Sequence, residues 1–502
     1  MNGRTRLTRE HANSPPRVSI WYAAALAGVC VLSFVFPGDV PWVNDEPSLI
    51  GAALDANAVH RLAGIGLPWS SHLHYGPAAV WVCQAMLLIT HHPMVLVAMR
   101  AALVAGGTAL AMVWLGRSLK LWRWFAVVIL LSPYLWVDSR LLSGKTFNIP
   151  LCALLLAGYA DFLSRDRSDA QGRRHDGGLL VALIAAVTMF LIHPTAIALV
   201  APLALHVLLL RPRALLGQKW AVLAIAMVCV LLPWGYWRQL HYPSSTPLAG
   251  PAGWIFPLLS PRLLSAAGLH HFLGSAWQDL AGPAIGAGLQ SVQRLTLLAF
   301  PLVWAGMIIA VVRSVRLLRR PSAASAADHM ALLGLAAFIG QIILDGCSRI
   351  EADPHHYNAT WAVYALLAWL SADALVKSSA RWSSWIAALL ALQGAALAAV
   401  TVYIMLLMHI AGGTRGEHYG ATLANQLEVA IILNRYPDNM PVRFQVANLA
   451  KFPIAMQTLR RLARDIAHPQ PASAGGVELI VYYRSGLPRS GWIMVAEMKG
   501  GI

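Results

Sequence analysis

Ala78-Ala79-Val80-Trp81-Val82-Cys83-Gln84-Ala85-Met86-Leu87-Leu88-Ile89-Thr90 decides how this chain is threaded. The stretch is apolar, yet shorter than the about 20 residues a helix needs to cross the hydrocarbon. Whether it crosses fixes the parity of everything that follows. If it did, the next apolar run, Met94 to Gly116, would end outside on Arg117, Lys120 and Arg123, against the tendency of Lys and Arg to remain inside. If it lies at the interface or re-enters, the basic clusters fall inside one after another: Arg117 to Arg123, Arg165 to Arg174, Arg211 to Lys219, Arg313 to Arg320, and Lys377 with Arg381. Ala78 to Thr90 is therefore read as an interfacial or re-entrant helix on the outer face.

The composition of the whole chain agrees with a membrane setting. Of 502 residues, 58% are hydrophobic and 12% charged, and the mean hydropathy is +0.58. That leaves too little polar surface to close a water-soluble globule of this size, so the chain is a polytopic membrane protein. A formal charge of +16 would suggest nucleic acid in a soluble protein. Here Lys and Arg sit in short clusters between apolar runs, which makes the excess a topology signal and excludes a nucleic-acid partner. Cys30, Cys83, Cys152, Cys229 and Cys347 lie far apart with no C-x-x-C spacing, so free packed thiols are expected and no disulfide framework. Arg4, Arg6, Arg9 and Arg17 precede the apolar run Val18 to Phe36. This could pass for a signal peptide, but no small-residue cleavage site follows, and an uncleaved first span is the reading adopted.

With residues 1–17 inside, Val18 to Phe36 crosses outward, and an outer loop follows over 37–93. In it Gly51 to Leu67 reads as a short amphipathic helix carrying Asp55, His60 and Arg61. The later spans are Met94 to Gly116, Trp124 to Trp136, Ile149 to Leu163, Leu179 to Ile192, Thr195 to Leu210, Trp220 to Trp237, Leu295 to Val312, Met330 to Leu344, Asn358 to Ala374 and Trp382 to Met408. The count is about eleven spans. A further outer segment occupies 238–293, rich in Pro, Gly, Trp and His. From Gly412 onward the hydropathy falls to that of a soluble domain. Leu423 to Leu433 and Ala455 to Ile466 have helical spacing, while Val477 to Tyr483 and Trp492 to Glu497 alternate like a hairpin around Gly486-Leu487-Pro488. The expected fold is thus an all-α transmembrane domain over 18–408, with a small α/β domain over 409–502 on the outer face.

The stretch Trp42-Val43-Asn44-Asp45-Glu46-Pro47 places paired carboxylates just beyond the first span, in a chain with only 22 acidic residues. Asp45 there can act as a general base toward an acceptor hydroxyl. The plainer alternative is that Asp45 and Glu46 open a helix, since acids shortly before Pro are common at helix starts. Arg140, Lys145, His193, Arg349, His355 and His356 lie at outward span ends and can converge on an anion; each could equally be a snorkelling or interface-anchoring side chain. The 18 histidines include the pairs His72/His74, His270/His271 and His355/His356, the last near Glu351 and Asp353. Adjacent histidines point apart on regular structure and no H-E-x-x-H spacing occurs, so no metal or other cofactor is expected; a divalent ion would be held by Glu351 to His356.

Read together, Asn44-Asp45-Glu46, His74-Tyr75-Gly76-Pro77, Leu131-Ser132-Pro133 followed by Arg140-Leu141, and Pro354-His355-His356-Tyr357 opening a late span resemble the GT-C glycosyltransferases that use polyprenyl-phosphate sugars. The chain is most similar to the group of protein O-mannosyltransferases, lipid A aminoarabinose transferases and rhizobial lipopolysaccharide core glycosyltransferases. The overlap runs in order to about Leu210 and is patchy beyond, apart from the late loop.

The resemblance implies that Asp45, with Glu46 beside it, is the catalytic carboxylate. It implies that His74, Tyr75, Arg140, Lys145, His193, Arg349, His355, His356 and Tyr357 meet the substrates. These would be a polyprenyl-phosphate sugar and a glycan, lipid or protein acceptor, at the periplasmic side of a bacterial inner membrane. Two departures stand out. Where many relatives have an Asp soon after Arg-Leu, this chain has Ser143-Gly144-Lys145-Thr146, and where many have Lys-Gly it has His193-Pro194. A transporter or flippase of lipid-linked saccharides would also want cationic span ends, but transporters carry charged or broken helices at mid-membrane. A polymerase or ligase of polyprenyl-linked glycans is the other alternative.

Overall fold

The structure is a computed structural model. It describes residues 20–43, 45–68, 74–165, 177–210, 223, 226–227, 299–347, 354–378, 380–413, 420–436, 440–446, 452–464, 466, 477–483 and 492–499. The segment 238–293, nearly all of the expected span Trp220 to Trp237, the turn Gly486-Leu487-Pro488, and Asn44, His72, His270, His271, Arg349, Glu351 and Asp353 lie outside the described residues.

Helix α1 covers Ile20–Leu32. Helix α2 covers Asp45–Ala58, with Asp45 and Glu46 in its first turn, where negative charge is favoured by the helix dipole. It therefore begins earlier than the amphipathic helix expected at Gly51, and it ends before His60, whose φ of +50° cannot continue a helix. Helix α3 is Ala78–Ile89, 12 residues. At 1.5 Å per residue it is about 18 Å long, well short of about 30 Å of hydrocarbon.

Helix α4, Pro93–Leu119, is among four helices of the described residues that are long and apolar enough to cross a membrane by length and composition. The others are Gly144–Arg165, Ala326–Leu344 and Ser383–Ala411. Pro93 opens α4 at a position where its missing N–H costs nothing. A π turn at Ala102–Gly106 interrupts it, and Lys120 in the left-handed region closes it. The expected span Trp124 to Trp136 is instead two short helices, α5 (Trp124–Leu130) and α6 (Pro133–Arg140). The cause is Pro133, which removes a helical donor and holds Ser132 in an extended conformation.

A 3-10 turn at Gly144–Phe147 leads into α7, Asn148–Arg165. Then come α8 (Gly177–Ile192), α9 (Ile197–Leu210), α10 (Ala299–Arg319), α11 (Ala326–Cys347), α12 (Trp361–Ser378) and α13 (Ala380–Ala411). Helix α7 is buried along most of its length between α4, α8 and α12. Polar groups lock this apolar bundle at named points: Trp369 donates to the Trp122 carbonyl at 2.9 Å, and the Trp122 N–H donates to Asp373 at 2.8 Å. Tyr159, His206 and His329 form a buried chain joining α7, α9 and α11.

The last part of the chain adds α14 (Leu423–Leu433), α15 (Phe452–Ala463) and a three-stranded sheet. Strands β2 (Val477–Tyr483) and β3 (Ile493–Lys499) are antiparallel, with Val481 opposite Val495. Strand β1, Val442–Gln445, lies parallel to β2 and was not expected; it is only four residues long. This unit is fastened to α2 and the loop before it. The Leu423 and Ala424 amides donate to the carbonyls of Val40 and Gly38, Trp42 Nε1 donates to the Ala455 carbonyl at 3.0 Å, and Arg461 pairs with Asp55 at 2.8 Å.

Candidate functional site

Three turns gather at one end of the bundle. The turn Gly144–Phe147 packs against the turn Pro354–Ala359, which also meets Pro194–Ala196 just after His193. The start of α2 and the segment leading into α3 complete the group.

Lys145 projects from its turn so that Nζ stands 3.3 Å from Asp45 Oδ2, on the first residue of α2. The ammonium also lies 5.6 Å from the centre of the Tyr75 ring. The turn reaches this position because residue 144 is glycine: a Cβ there would stand 2.9 Å from that of Ala79 on α3. Tyr75 is held by a short antiparallel ladder in which Gly66 N–H donates to Tyr75 O and Tyr75 N–H to Leu67 O, both at 2.8 Å. Beyond it Gly76 presses on α8, where a Cβ would fall 2.1 Å from the Leu191 carbonyl oxygen. That contact delivers the Tyr75 ring to His193, with ring centres 4.7 Å apart.

His193 is almost fully buried. Its Nδ1 accepts from the Thr195 amide at 3.2 Å and lies 2.7 Å from Thr195 Oγ1. An Nδ1 used as acceptor places the proton of the neutral ring on Nε2, which makes Nε2 a donor. Burial, with the charge of Asp45 adding to it, pushes the Tyr75 phenol up from its ordinary range, so it stays a neutral O–H group.

Asp45, Lys145, Tyr75 and His193 are thus brought together. Glu46 is placed differently: it is buried, while the Asp45 side chain is 40% exposed. Glu46 faces the interior within electrostatic reach of Arg100. His74 is half-buried in the bridge to Pro68. Tyr357 is buried and meets Tyr364 edge-on. His355 and His356 lie on the turn Pro354–Ala359. Arg140 is committed to the far side of α6, donating to the Phe36 carbonyl and lying over the Trp136 ring.

Beneath the turns lies a polar layer that the sequence reading passed over. Arg100 on α4 is fully buried and donates through Nη2 to Ser143 O and to Thr146 Oγ1. Asp138 on α6 accepts from Asn358 at 3.2 Å, and Asn358 in turn accepts from Tyr134. The available signal was an ionisable residue inside or at the end of an apolar run, which is costly there and calls for a partner. A second group, Asp39 with His409 at 3.0 Å, joins the loop after α1 to the end of α13. Among the described residues no three His, Cys, Asp or Glu side chains come together as a metal site.

An apolar helical scaffold with its polar turns gathered at one end, and a small α/β unit fastened beside them, is an arrangement this chain shares with a solved structure of the GT-C superfamily. ArnT from Cupriavidus metallidurans, in the apo state, superposes with a TM-score of 0.52 at 15% identity, covering 95% of this chain and 97% of that one. The same protein bound to undecaprenyl phosphate gives a TM-score of 0.47 at 14% identity, covering 95% and 98%. The archaeal oligosaccharyltransferase AglB from Archaeoglobus fulgidus, in complex with an inhibitory peptide and a dolichol-phosphate, gives 0.42 at 15% identity, covering 88% of this chain and 64% of that one. No family model and no curated protein matches the sequence.

Proposed function

We propose that this chain is an integral-membrane glycosyltransferase that moves a single sugar from a polyprenyl-phosphate donor to a hydroxyl of a glycan, lipid or protein acceptor. The observation that carries the reading is the Asp45–Lys145 pair, a half-exposed carboxylate beside an ammonium, with Tyr75 and His193 next to it. In this reading Asp45 takes the proton of the acceptor hydroxyl as its oxygen bonds to the anomeric carbon. The bond from that carbon to the phosphate oxygen breaks, and polyprenyl phosphate leaves with the electron pair. Lys145 and the Nε2–H of His193 are the groups suited to stabilise the charge that develops on the phosphate. The fold of ArnT, a protein also solved with undecaprenyl phosphate, supports a donor of that kind.

In this reading the site faces the periplasmic side of a bacterial inner membrane, an orientation that the positive-inside pattern supports. A C-terminal alkaline phosphatase fusion is then active and a fluorescent-protein fusion dark; the reverse would show one span too many or too few. The test of function is purified protein in detergent with a panel of polyprenyl-phosphate sugars. Sugar transfer that Asp45→Asn lowers by about 10²- to 10⁴-fold, with donor binding retained, is the expected result. Transport of a lipid-linked saccharide in vesicles without sugar transfer would favour the flippase reading instead.

A further inference from the structure

We propose that Arg100 is a positioning residue for this site: buried in α4, it grips the turn that carries Lys145 and so sets the Lys145–Asp45 pair. The inference rests on the transferase reading for its catalytic consequence, but its geometric part does not.

Three contacts carry it. Arg100 Nη2 donates to Ser143 O and to Thr146 Oγ1, the residues two before and one after Lys145. The guanidinium also lies over the Phe147 ring, 3.1 Å from its centre. Thr146 Oγ1 passes the constraint on by donating to Ser143 O at 3.0 Å. The turn is thereby held from below at three of five residues, while Gly144 wedges it against Ala79 from the side. From the turn so held, the Lys145 ammonium reaches Asp45.

The location argues against a role in packing alone. A guanidinium in an apolar helix is costly to desolvate, and a well-packed apolar side chain of similar volume would avoid that cost. Hydrogen bonds aimed at one particular turn give the charge something that an apolar residue could not supply. One residue beyond Arg100 the helix opens into the π turn Ala102–Gly106, a local geometry often found beside functional sites.

The test reads the Lys145 amine directly. Reductive methylation of purified protein, followed by peptide mass spectrometry, gives the rate at which Lys145 is modified in wild type, Arg100→Gln and Arg100→Lys. Loosening the turn should raise the Lys145 rate by about tenfold in Arg100→Gln, with a smaller rise in Arg100→Lys. Should Arg100→Gln fail to accumulate, Thr146→Val removes one of the two acceptors and is read in the same way. An unchanged Lys145 rate overturns the inference even if the protein is a transferase. A raised rate in a protein that transfers no sugar leaves the positioning intact and sinks the transferase reading. Where transfer is observed, Arg100→Gln should lower kcat in the wild-type background and add little to Lys145→Met; additive losses would show that Arg100 does not act through Lys145.

Discussion

Lys145 Nζ and Asp45 Oδ2 stand 3.3 Å apart, on a turn and a helix start that only the tertiary fold brings together. The pair sits at the rim, the lysine side chain 14% exposed and the aspartate 40%. Because the aspartate remains solvated, the pair contributes only about 0–1 kcal/mol to stability. The same ammonium beside a departing phosphate is worth far more, because charge develops there as the bond breaks. Lys145→Met is therefore expected to leave the melting temperature nearly unchanged and to lower turnover by about 10²-fold. Thermal unfolding and steady-state kinetics on one preparation check both halves; an equal loss in stability and rate would make the pair structural. Glu46→Gln should cost less than Asp45→Asn, because Glu46 is buried while the Asp45 carboxylate is 40% exposed.

Gly76 offers a steric test of the same site. With its Cα against the Leu191 carbonyl, there is no room for a methyl group, and backbone lies on the other side of the contact. Gly76→Ala must push the Tyr75 strand off α8, at a cost of about 1–3 kcal/mol for overpacking. The tilt of Tyr75 on His193 would be lost with it. The expected outcome is weakened binding of undecaprenyl phosphate in a protein that still folds. Unaltered affinity would show that the Tyr75–His193 contact is dispensable.

What could be read from the chain and what could not divide along a physical line. Leu423–Leu433 and Val477–Tyr483 were legible to the residue, because their apolar periodicity is unbroken and both ends carry stop signals. Trp124 to Trp136 was misread as one helix: hydropathy averages over Pro133, whereas the backbone cannot. Strand β1 is too short for alternation to register, and its parallel pairing with β2 is a tertiary event. The types of the site residues were visible, but their grouping was not. Lys145 and Arg140 looked alike as cations after an apolar run, yet one meets Asp45 and the other is spent on Phe36 and Trp136. Arg100 was hidden inside a run whose average is apolar, and only the fold shows which turn it holds.

The attachment of the α/β unit can be separated into a strong and a weak contact. Trp42 is fully buried and its indole N–H satisfies the Ala455 carbonyl. Trp42→Phe keeps most of the packing but leaves that carbonyl without its indole donor, costing about 1–3 kcal/mol. Arg461→Ala breaks a pair whose Asp55 partner is 70% exposed, and should cost less than about 1 kcal/mol. Limited proteolysis near Gly413 reads the docking: faster release of the C-terminal unit in Trp42→Phe, and wild-type behaviour in Arg461→Ala. The opposite order would place the main attachment at the far end of α2.

Asp39 supplies a prediction with a sign. Burial raises its pKa above the ordinary carboxylate value, while His409, and then Arg140, pull it back down. A carboxylate whose folded pKa is raised contributes stability that is complete below its unfolded pKa and is lost as the pH climbs through the folded one. His409→Phe keeps a ring to stack on Phe36, which His409 meets at 3.9 Å, but removes the 3.0 Å hydrogen bond to Asp39. With that partner gone the folded pKa moves higher still, so ionising Asp39 costs more. His409→Phe should thus come nearest to wild type once the pH is low enough to protonate Asp39 in both, and fall behind as the pH climbs through the folded-state pKa of Asp39. The deficit should be about 1 kcal/mol, since the histidine side chain is 52% exposed. Adding Asp39→Asn removes the charge and should erase the pH dependence of the difference. Melting temperatures of the three variants across that range decide it: a deficit that stays constant with pH would mean that His409 acts through packing and not through the buried carboxylate.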